Sequence, residues 1–436
     1  MKITTYSLSR NCLAQNILFN SLFALMLLFS FNLWAANITL NDAEQMALES
    51  DPAQQIYQSQ QSSLIAQGIV GSTLADPMIK LGMANLPTDS FELDSDPMTQ
   101  LTLGLSQQFS RGSQRSLTQK GFNQRAEIPV YQGLDRQLKV KRTVRELWLN
   151  ILLINKSEQI VKENKKLFLV FYRDLESKFS LGYADNEDLI FAEIEISKFD
   201  EKLAALGQRA LNYRSLLREY IGHLADEQLA EELPLWLETT QYVESSNKIK
   251  GEHYQLLSTH PKAQMLAQNI AVADNGIELA EQNYQPRFKV EMGYGHRLSK
   301  TDMGVDRSDL LSAFVTMDIP LFTDKRQDQK LISAQQEKGQ KQAEHRLLLR
   351  QLNASLNAEI SNYQQIQSRI SRYQESLLKQ AKLHTQLLEQ SYQSNTRPFK
   401  EVIDAYIHEQ NLSLEYQQLT FDGLKSLANI RYFQAI

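Results

Sequence analysis

The chain has 436 residues, 46 basic and 51 acidic side chains, and a formal net charge of −5 at pH 7. This mildly acidic balance excludes an obvious nucleic-acid-binding protein, because such proteins carry a surplus of Lys and Arg. The single cysteine, Cys12, excludes an intramolecular disulfide.

The segment 1–35 predicts a cleaved secretory signal peptide. It contains basic but no acidic side chains, an apolar run from Ile17 to Phe31, and small residues at its end. The run is too short and too interrupted by polar residues for a comfortable transmembrane helix, although an uncleaved anchor is the alternative interpretation. Cys12 precedes the run, where no lipoprotein-processing site would lie, so we expect a mature chain without lipid.

Four later segments alternate apolar with polar or small residues, which predicts strands at about 78–84, 100–109, 287–297 and 309–319. In a soluble sheet the apolar face would cover a core. Here the polar face carries Lys289 and Glu291, and strands of about ten residues with a wet interior fit an outer-membrane barrel. Four strands cannot close a barrel, and open edges are not tolerated in lipid. Several chains are therefore expected to share one barrel.

Most of the remaining chain is predicted to be helical. Glycine and proline are absent from Leu134 to Leu181 and from Gln340 to Arg397, which predicts rods of roughly 70 to 90 Å. No apolar stretch after residue 35 reaches the roughly 18 residues of a membrane-spanning helix. In the second rod, core residues recur at every seventh position from Leu349 to His384, with Leu387 on the neighbouring core position. This repeat predicts a left-handed coiled coil.

Each rod is predicted to turn and return as a helical hairpin. Gly182 and Asn395 stand at the two turns, and both residue types tolerate the left-handed backbone that ends helices. Pro398 suits the first turn of the second returning helix. The hairpin tips are therefore expected near residues 182 and 396.

Landmarks of the first half of the chain recur in the second half. Asp51-Pro52 recurs as His260-Pro261, and Asp76-Pro77 recurs as Gln285-Pro286 at the same separation along the chain. A period this long is too large for a solenoid unit and predicts an internal duplication. We expect a first repeat at 36–222, an equatorial linker segment at 223–259 and a second repeat at 260–436.

Several motifs resemble those of the TolC-type outer-membrane efflux proteins, and the resemblance covers essentially the whole mature chain. They are Ile38-Thr39-Leu40-Asn41-Asp42-Ala43, Tyr284-Gln285-Pro286 and Ile319-Pro320-Leu321-Phe322. A second set is similar to the branch that serves heavy-metal pumps of the resistance-nodulation-division class. It comprises Ala75-Asp76-Pro77-Met78, Asn85-Leu86-Pro87 and Asp96-Pro97-Met98-Thr99.

The resemblance implies an α+β membrane protein that works as a homotrimer in the outer membrane. Three chains would build one twelve-stranded β-barrel, and their coiled-coil helices would form an α-barrel in the periplasm. The implied partners are a periplasmic membrane-fusion adaptor protein, an inner-membrane resistance-nodulation-division pump and outer-membrane lipid. The implied function is a passive conduit for heavy-metal cations. Drug efflux, type I secretion and a non-transport periplasmic coiled-coil protein remain alternatives.

No catalytic, cofactor-binding or metal-binding residue is predicted. The sequence lacks a Walker loop, a G-x-S-x-G motif and an H-E-x-x-H motif, and its histidines have no metal-ligand spacing. An enzyme is therefore not expected.

Two acidic pairs follow the predicted tips, namely Asp185 with Asp188 and Glu401 with Asp404. Members of each pair lie one helical turn apart and share a face, although most such faces are merely solvated. In the family, acidic rings of this kind constrict the periplasmic entrance, so these residues are gate and selectivity candidates. The resemblance also implies adaptor docking at the tips themselves, which comprise Gly182, Tyr183, Asn395, Arg397 and Pro398. The second hairpin is the expected moving gate.

Overall fold

The structure is a computed structural model that describes residues 37–246, 251–394 and 396–436. The predicted signal peptide at 1–35 and Asn395 lie outside the described residues. The described elements are α1 (Leu40–Ser50), α2 (Ala53–Ser72), β1 (Met78–Ala84), β2 (Gln100–Phe109), α3 (Gln114–Ser180), α4 (Asn186–Ile221), α5 (Leu237–Ser246), α6 (Tyr254–Ser258), α7 (Pro261–Glu281), β3 (Arg287–His296), β4 (Leu310–Asp318), α8 (Gln327–Arg372), α9 (Leu378–Gln393) and α10 (Phe399–Phe433).

The four strands form one antiparallel sheet in the order β1-β2-β3-β4. Its register places most of the apolar residues of all four strands on one face, since Leu81 lies opposite Leu103 and Leu105 lies opposite Met292. Val290 and Val315 continue this face across β3 and β4. The other face is mostly polar or small. The strands coincide closely with the segments that alternation predicts.

The apolar face of the sheet is exposed. Leu81 is 76% accessible, Leu103 51% and Val315 71%. An apolar surface of this extent in water would be an aggregation liability, because burial of apolar area is the main favourable term in folding. The sheet therefore requires a different environment or a covering partner on this face.

The helices bury three clusters of apolar side chains along the rod. One cluster surrounds Trp148 in the middle of α3 and joins α1 and α4 to it. A second contains Leu356 of α8 and Ile430 of α10. A third, around Phe168 and Ile403, packs the two hairpins against each other near their tips. Each such buried side chain contributes about 1.5–3 kcal/mol relative to exposure, so packing rather than helix propensity holds the rods together.

Helix α3 begins about 20 residues before the predicted rod, and it contains Gly121, Pro129 and Gly133. The glycines allow close packing, because a Cβ at Gly121 would lie 2.5 Å from the side-chain nitrogen of Asn275. Near Pro129, the side chain of Gln268 donates to the carbonyl of Gln124 at 2.9 Å. Tertiary packing thus overrides the residues that would end an isolated helix. Helix α8 likewise begins at Gln327 and runs through Gly339.

The seven-residue repeat of the second rod changes phase at a π turn, Tyr373–Leu377. The extra residue of a π turn moves every later position by one around the helix axis. Beyond it Ala381 and Thr385 are buried, whereas Leu387 is exposed. The prediction that His384 and Leu387 occupy core positions is therefore wrong for this protomer.

The segment 223–259 is more regular than the irregular linker that its composition predicts. It contains the helices α5 and α6 in its described part. Arg145 and Arg431 stack over the Trp236 ring, at 5.7 and 5.8 Å from its centroid. These contacts fix the segment against α3 and α10. No helix in the described parts of the chain is both long and apolar enough to cross a membrane.

Candidate functional site

The first hairpin turn is closed by two backbone hydrogen bonds. The Tyr183 amide donates to the Lys178 carbonyl at 2.8 Å, and the Gly182 amide donates to the Phe179 carbonyl at 3.0 Å. This is a Schellman motif, which satisfies carbonyls at the end of α3. It requires a left-handed residue, and Gly182 has a φ of 78°. Tyr183, which follows Gly182 in this turn, is 81% accessible.

The second turn has the corresponding long-range bond. The Thr396 amide donates to the Ser391 carbonyl at 3.0 Å, which matches the outer bond of the first turn. Pro398 occupies the N-cap position of α10, and its backbone is extended. The sequence predicts it one position later, in the first turn of this helix. Arg397 is exposed and lies 3.1 Å from Glu401 in an ion pair along the helix.

The four candidate carboxylates lie just behind these turns. Asp185 occupies the N-cap position of α4 without a capping hydrogen bond from its side chain, and Asp188 lies in the first turn of this helix. Glu401 and Asp404 share one side of α10, opposite the buried Val402 and Ile403 that lie between them in sequence. Within the described residues no group of three or more His, Cys, Asp or Glu side chains could hold a metal ion. The two pairs therefore form no such metal-binding group within one chain.

Polar and cation–π contacts also connect the two hairpins close to their tips. Lys178 of α3 donates to the Tyr392 hydroxyl of α9 at 3.0 Å, and its ammonium lies 4.1 Å from that ring centroid. Lys178 also pairs with Asp174 at 2.9 Å. On the other side, Lys400 of α10 lies over the Phe191 ring of α4 at 5.6 Å. These polar and cation–π contacts connect the hairpins at the end that carries the acidic pairs.

The hydroxyl of the half-buried Tyr406 connects the two helices of the second hairpin. Tyr406 of α10 donates to Glu389 of α9 at 3.1 Å. Burial, and then the Glu389 charge, raise the pKa of Tyr406 to about 12, so the hydroxyl remains a donor at physiological pH.

Sequence reasoning missed the residues that connect the hairpins. These residues, Lys178, Tyr392 and Lys400, are neither acidic nor part of a turn. Their spacing in the sequence does not identify the residues of the other hairpin that they contact. Their positions within about one helical turn of the tips are the available signal, because such side chains can reach across to the other hairpin.

We expect Asp188→Asn to stabilise the first tip at neutral pH. Burial, followed by the charges of Asp185 and Glu187, raises the pKa of Asp188 above its ordinary value of 3.8. Asp188 thus binds its proton more tightly in the folded tip than in the unfolded chain. The tip consequently loses stability as the pH rises through the raised pKa, and this loss persists at neutral pH.

Hydrogen exchange in the first turns of α4, corrected for intrinsic rates, measures this effect. Protection in the native chain should fall as the pH rises from about 4 to 7, whereas the Asp188→Asn chain should show a flatter profile. Identical pH profiles for the two chains would contradict the assignment.

The fold of this chain is similar to the folds of solved outer-membrane channels. The structure matches CusC with a TM-score of 0.72 and 14% identity over 92% of each chain. It matches the outer membrane protein VceC from Vibrio cholerae with a TM-score of 0.71 and 13% identity, over 91% of this chain and 96% of that one. It matches the CmeC outer membrane channel from Campylobacter jejuni with a TM-score of 0.70 and 14% identity, over 91% of this chain and 85% of that one.

No family model and no curated protein matches the sequence. The matches to CusC and VceC cover more than nine tenths of both chains. At sequence identities this low, they establish the fold alone. The chain therefore has the TolC-type outer-membrane channel fold that its sequence motifs resemble.

Proposed function

We propose that three copies of this chain form an outer-membrane efflux channel. Their twelve strands would close one β-barrel, and their helices would form a tunnel in the periplasm. The observation that carries this proposal is the exposed apolar face of the sheet together with its two edge strands, β1 and β4. A lipid-facing barrel accounts for both features, because lipid covers the apolar face and closure removes the edges.

Closure between copies follows from the cost of unpaired backbone in a bilayer. Each unsatisfied N–H or C=O group costs several kcal/mol in hydrocarbon, so edge strands must find partners. Pairing β1 of one copy with β4 of the next satisfies both edges. An internal duplication fits this arrangement, since each half contributes one strand pair and one helical hairpin. Three chains would then present six similar units around one axis.

Cell fractionation tests the proposal against a non-transport periplasmic coiled-coil protein. We expect recovery in the outer membrane as a trimer that migrates differently before and after heating. Recovery as a soluble periplasmic monomer would support the coiled-coil alternative. The same preparation shows whether the segment 1–35 has been removed, as a cleaved signal peptide requires.

We propose further that the channel is passive and exports heavy-metal cations. Its hairpin tips would dock on a periplasmic adaptor protein, and an inner-membrane resistance-nodulation-division pump would drive export. The sequence resemblance to the heavy-metal branch supports this choice of cargo. A deletion strain should become sensitive to one or more of copper, silver, zinc, cobalt and cadmium. Unchanged survival on every metal, with sensitivity to drugs or loss of a secreted protein, would favour the drug-efflux or type I secretion alternative.

The acidic pairs at the tips are proposed to form the entrance. Threefold symmetry turns each axis-facing carboxylate into a ring of three, and such rings attract cations in other pores. We expect Glu401→Ala with Asp404→Ala to reduce cation selectivity or divalent block in single-channel recordings. The reduced selectivity would result from the loss of negative charge inside the pore and not from the change in the net charge of the protein.

A matched control removes the same charge elsewhere. Glu337 and Glu375 are exposed carboxylates of α8 and of the π turn, and they have no ion-pair partner among the described residues. Glu337→Ala with Glu375→Ala should leave selectivity unchanged. Equal behaviour of the two double variants would exclude the entrance role. Asp185→Ala with Asp188→Ala tests the first hairpin in the same way.

A further inference from the structure

The boundary between the sheet and the helices contains a basic cleft that the channel function does not use. Its volume is 520 Å³, and its lining includes Arg111, Asn283, Lys325, Arg326 and Lys330. We call it the junction cleft. It lies where β2 passes into α3 and where β4 passes into α8, so it marks one end of the sheet.

The carboxylates nearest to the junction cleft are already engaged. Asp318 pairs with Arg111 and accepts from the Arg287 amide at 2.7 Å. Asp328 accepts hydrogen bonds from the Tyr284 hydroxyl at 2.5 Å and from the Thr323 hydroxyl at 3.3 Å. These contacts hold the walls of the cleft in place. They also leave few anions for other basic side chains nearby.

Lys325, Arg326 and Lys330 have no ion-pair partner within the described residues, and all three are exposed. The exposed Asp324 is next to Lys325 in the sequence and offsets part of this charge. Glu337 offsets a further part, since it lines an adjoining cavity together with Lys330. A net positive cleft remains. Such a group of cations is complementary to a phosphate.

Two large apolar side chains adjoin these cations. Leu321 is 75% accessible and Phe322 is 83% accessible, and both lie in the short segment between β4 and α8. A surface that combines exposed apolar side chains with unpaired Lys and Arg side chains is typical of a membrane interface, where the apolar groups enter the acyl region and the cations meet headgroups.

We propose that the junction cleft binds the phosphate of an anionic phospholipid in the periplasmic leaflet of the outer membrane. This inference rests on the proposed barrel, because the helical end of the sheet then faces the periplasm. Lys325, Arg326 and Lys330 contact the headgroup. Leu321 and Phe322 contact the acyl chains. The bound lipid seals the boundary between the barrel and the helical tunnel.

The test uses the full-length trimer in nanodiscs that contain equal amounts of phosphatidylglycerol and phosphatidylcholine. Native mass spectrometry then counts the lipids that remain bound to the trimer after its release from the nanodisc. The native trimer should retain phosphatidylglycerol in preference to phosphatidylcholine. The triple variant K325Q/R326Q/K330Q should lose about tenfold or more of that preference, because each basic residue near an anionic membrane surface adds to the attraction.

A matched variant removes three other exposed cations from the second hairpin and the preceding rod, at Arg372, Lys379 and Lys382. R372Q/K379Q/K382Q should retain the native lipid preference. Phe322→Ser should reduce retention of both lipids while the trimer persists. Added inorganic phosphate should not compete, since it lacks acyl chains.

Three outcomes would overturn the inference. One is equal phosphatidylglycerol enrichment in the native and K325Q/R326Q/K330Q trimers. Another is loss of the trimer in K325Q/R326Q/K330Q, which would show that a second copy of the chain covers the cleft. Competition by inorganic phosphate would identify a free anion site. Failure of the native chain to form a membrane-inserted trimer is a separate result, because it contradicts the proposed channel itself.

Discussion

Val315→Arg should abolish accumulation of the trimer in the outer membrane. Val315 lies in the middle of β4 on the apolar face of the sheet, opposite Val290, and is 71% accessible. An Arg side chain at the bilayer midplane of a barrel costs about 2–4 kcal/mol, and the trimer would carry three of them. This cost is comparable to the whole stability of a small domain. Immunodetection of heat-modifiable trimer in outer-membrane fractions measures the effect.

The neighbouring residue supplies the control. Thr316 is exposed on the opposite face of the same strand, where it lies beside Lys289. Thr316→Arg adds the same side chain one position along the chain, but the barrel interior is wet, so the trimer should persist. Equal tolerance of both substitutions would contradict a lipid-facing sheet. Equal loss of the trimer would show that the strand tolerates no Arg on either face.

Glu44→Leu should destabilise the helical body by about 3–5 kcal/mol, because it removes the carboxylate that pairs with the buried Arg145 charge. Glu44 of α1 accepts from Arg145 Nε at 2.8 Å and from a terminal guanidinium nitrogen at 2.9 Å. Both side chains are buried. The pair fixes α1 against the middle of α3. Denaturant unfolding followed by the helical circular dichroism signal measures the change.

Two further variants separate charge from packing. Glu44→Leu combined with Arg145→Met should recover most of the lost stability, because replacing both partners with apolar residues removes the unpaired charge. Glu231→Ala breaks an exposed pair with Lys156, and it should cost no more than about 1 kcal/mol. An unchanged midpoint for Glu44→Leu would contradict the structural importance of the buried pair.

The strands could be predicted from the sequence because a period of two is a local property. Each apolar residue of the exposed face stands two positions from the next, as from Leu101 to Leu105, and no distant contact decides this pattern. The turn at Gly182 was predictable for a similar reason. A left-handed helix end depends on one residue type at one position.

The helix boundaries and the contacts between hairpins could not be predicted, since they depend on distant packing. Gly121 lies inside α3 because Asn275 approaches it closely. The π turn at Tyr373–Leu377 shifts the packing face by one residue, and the sequence repeat carries no sign of it. Lys178 and Tyr392 meet only after the hairpins pack together. The sequence could therefore indicate the carboxylates of the candidate entrance. It could not indicate the contacts between the hairpins that lie beside them.

Cysteine cross-linking between the edge strands of different copies tests the shared barrel most directly. Cys12 is the single native cysteine and lies in the predicted signal peptide, so introduced thiols would have no competitor in the mature chain. Gly82→Cys in β1 would be combined in turn with cysteine substitutions at Ser312, Phe314 or Thr316 in β4. These positions share the face opposite the apolar one.

A shared barrel predicts that at least one combination gives a covalent trimer on a denaturing gel after oxidation of outer membranes. Reduction should return that trimer to the monomer. Each single-cysteine chain should remain monomeric on the same gel. If every combination yields only monomer, while the protein is present in the membrane, β1 and β4 of neighbouring copies do not pair and the channel proposed for this chain is wrong.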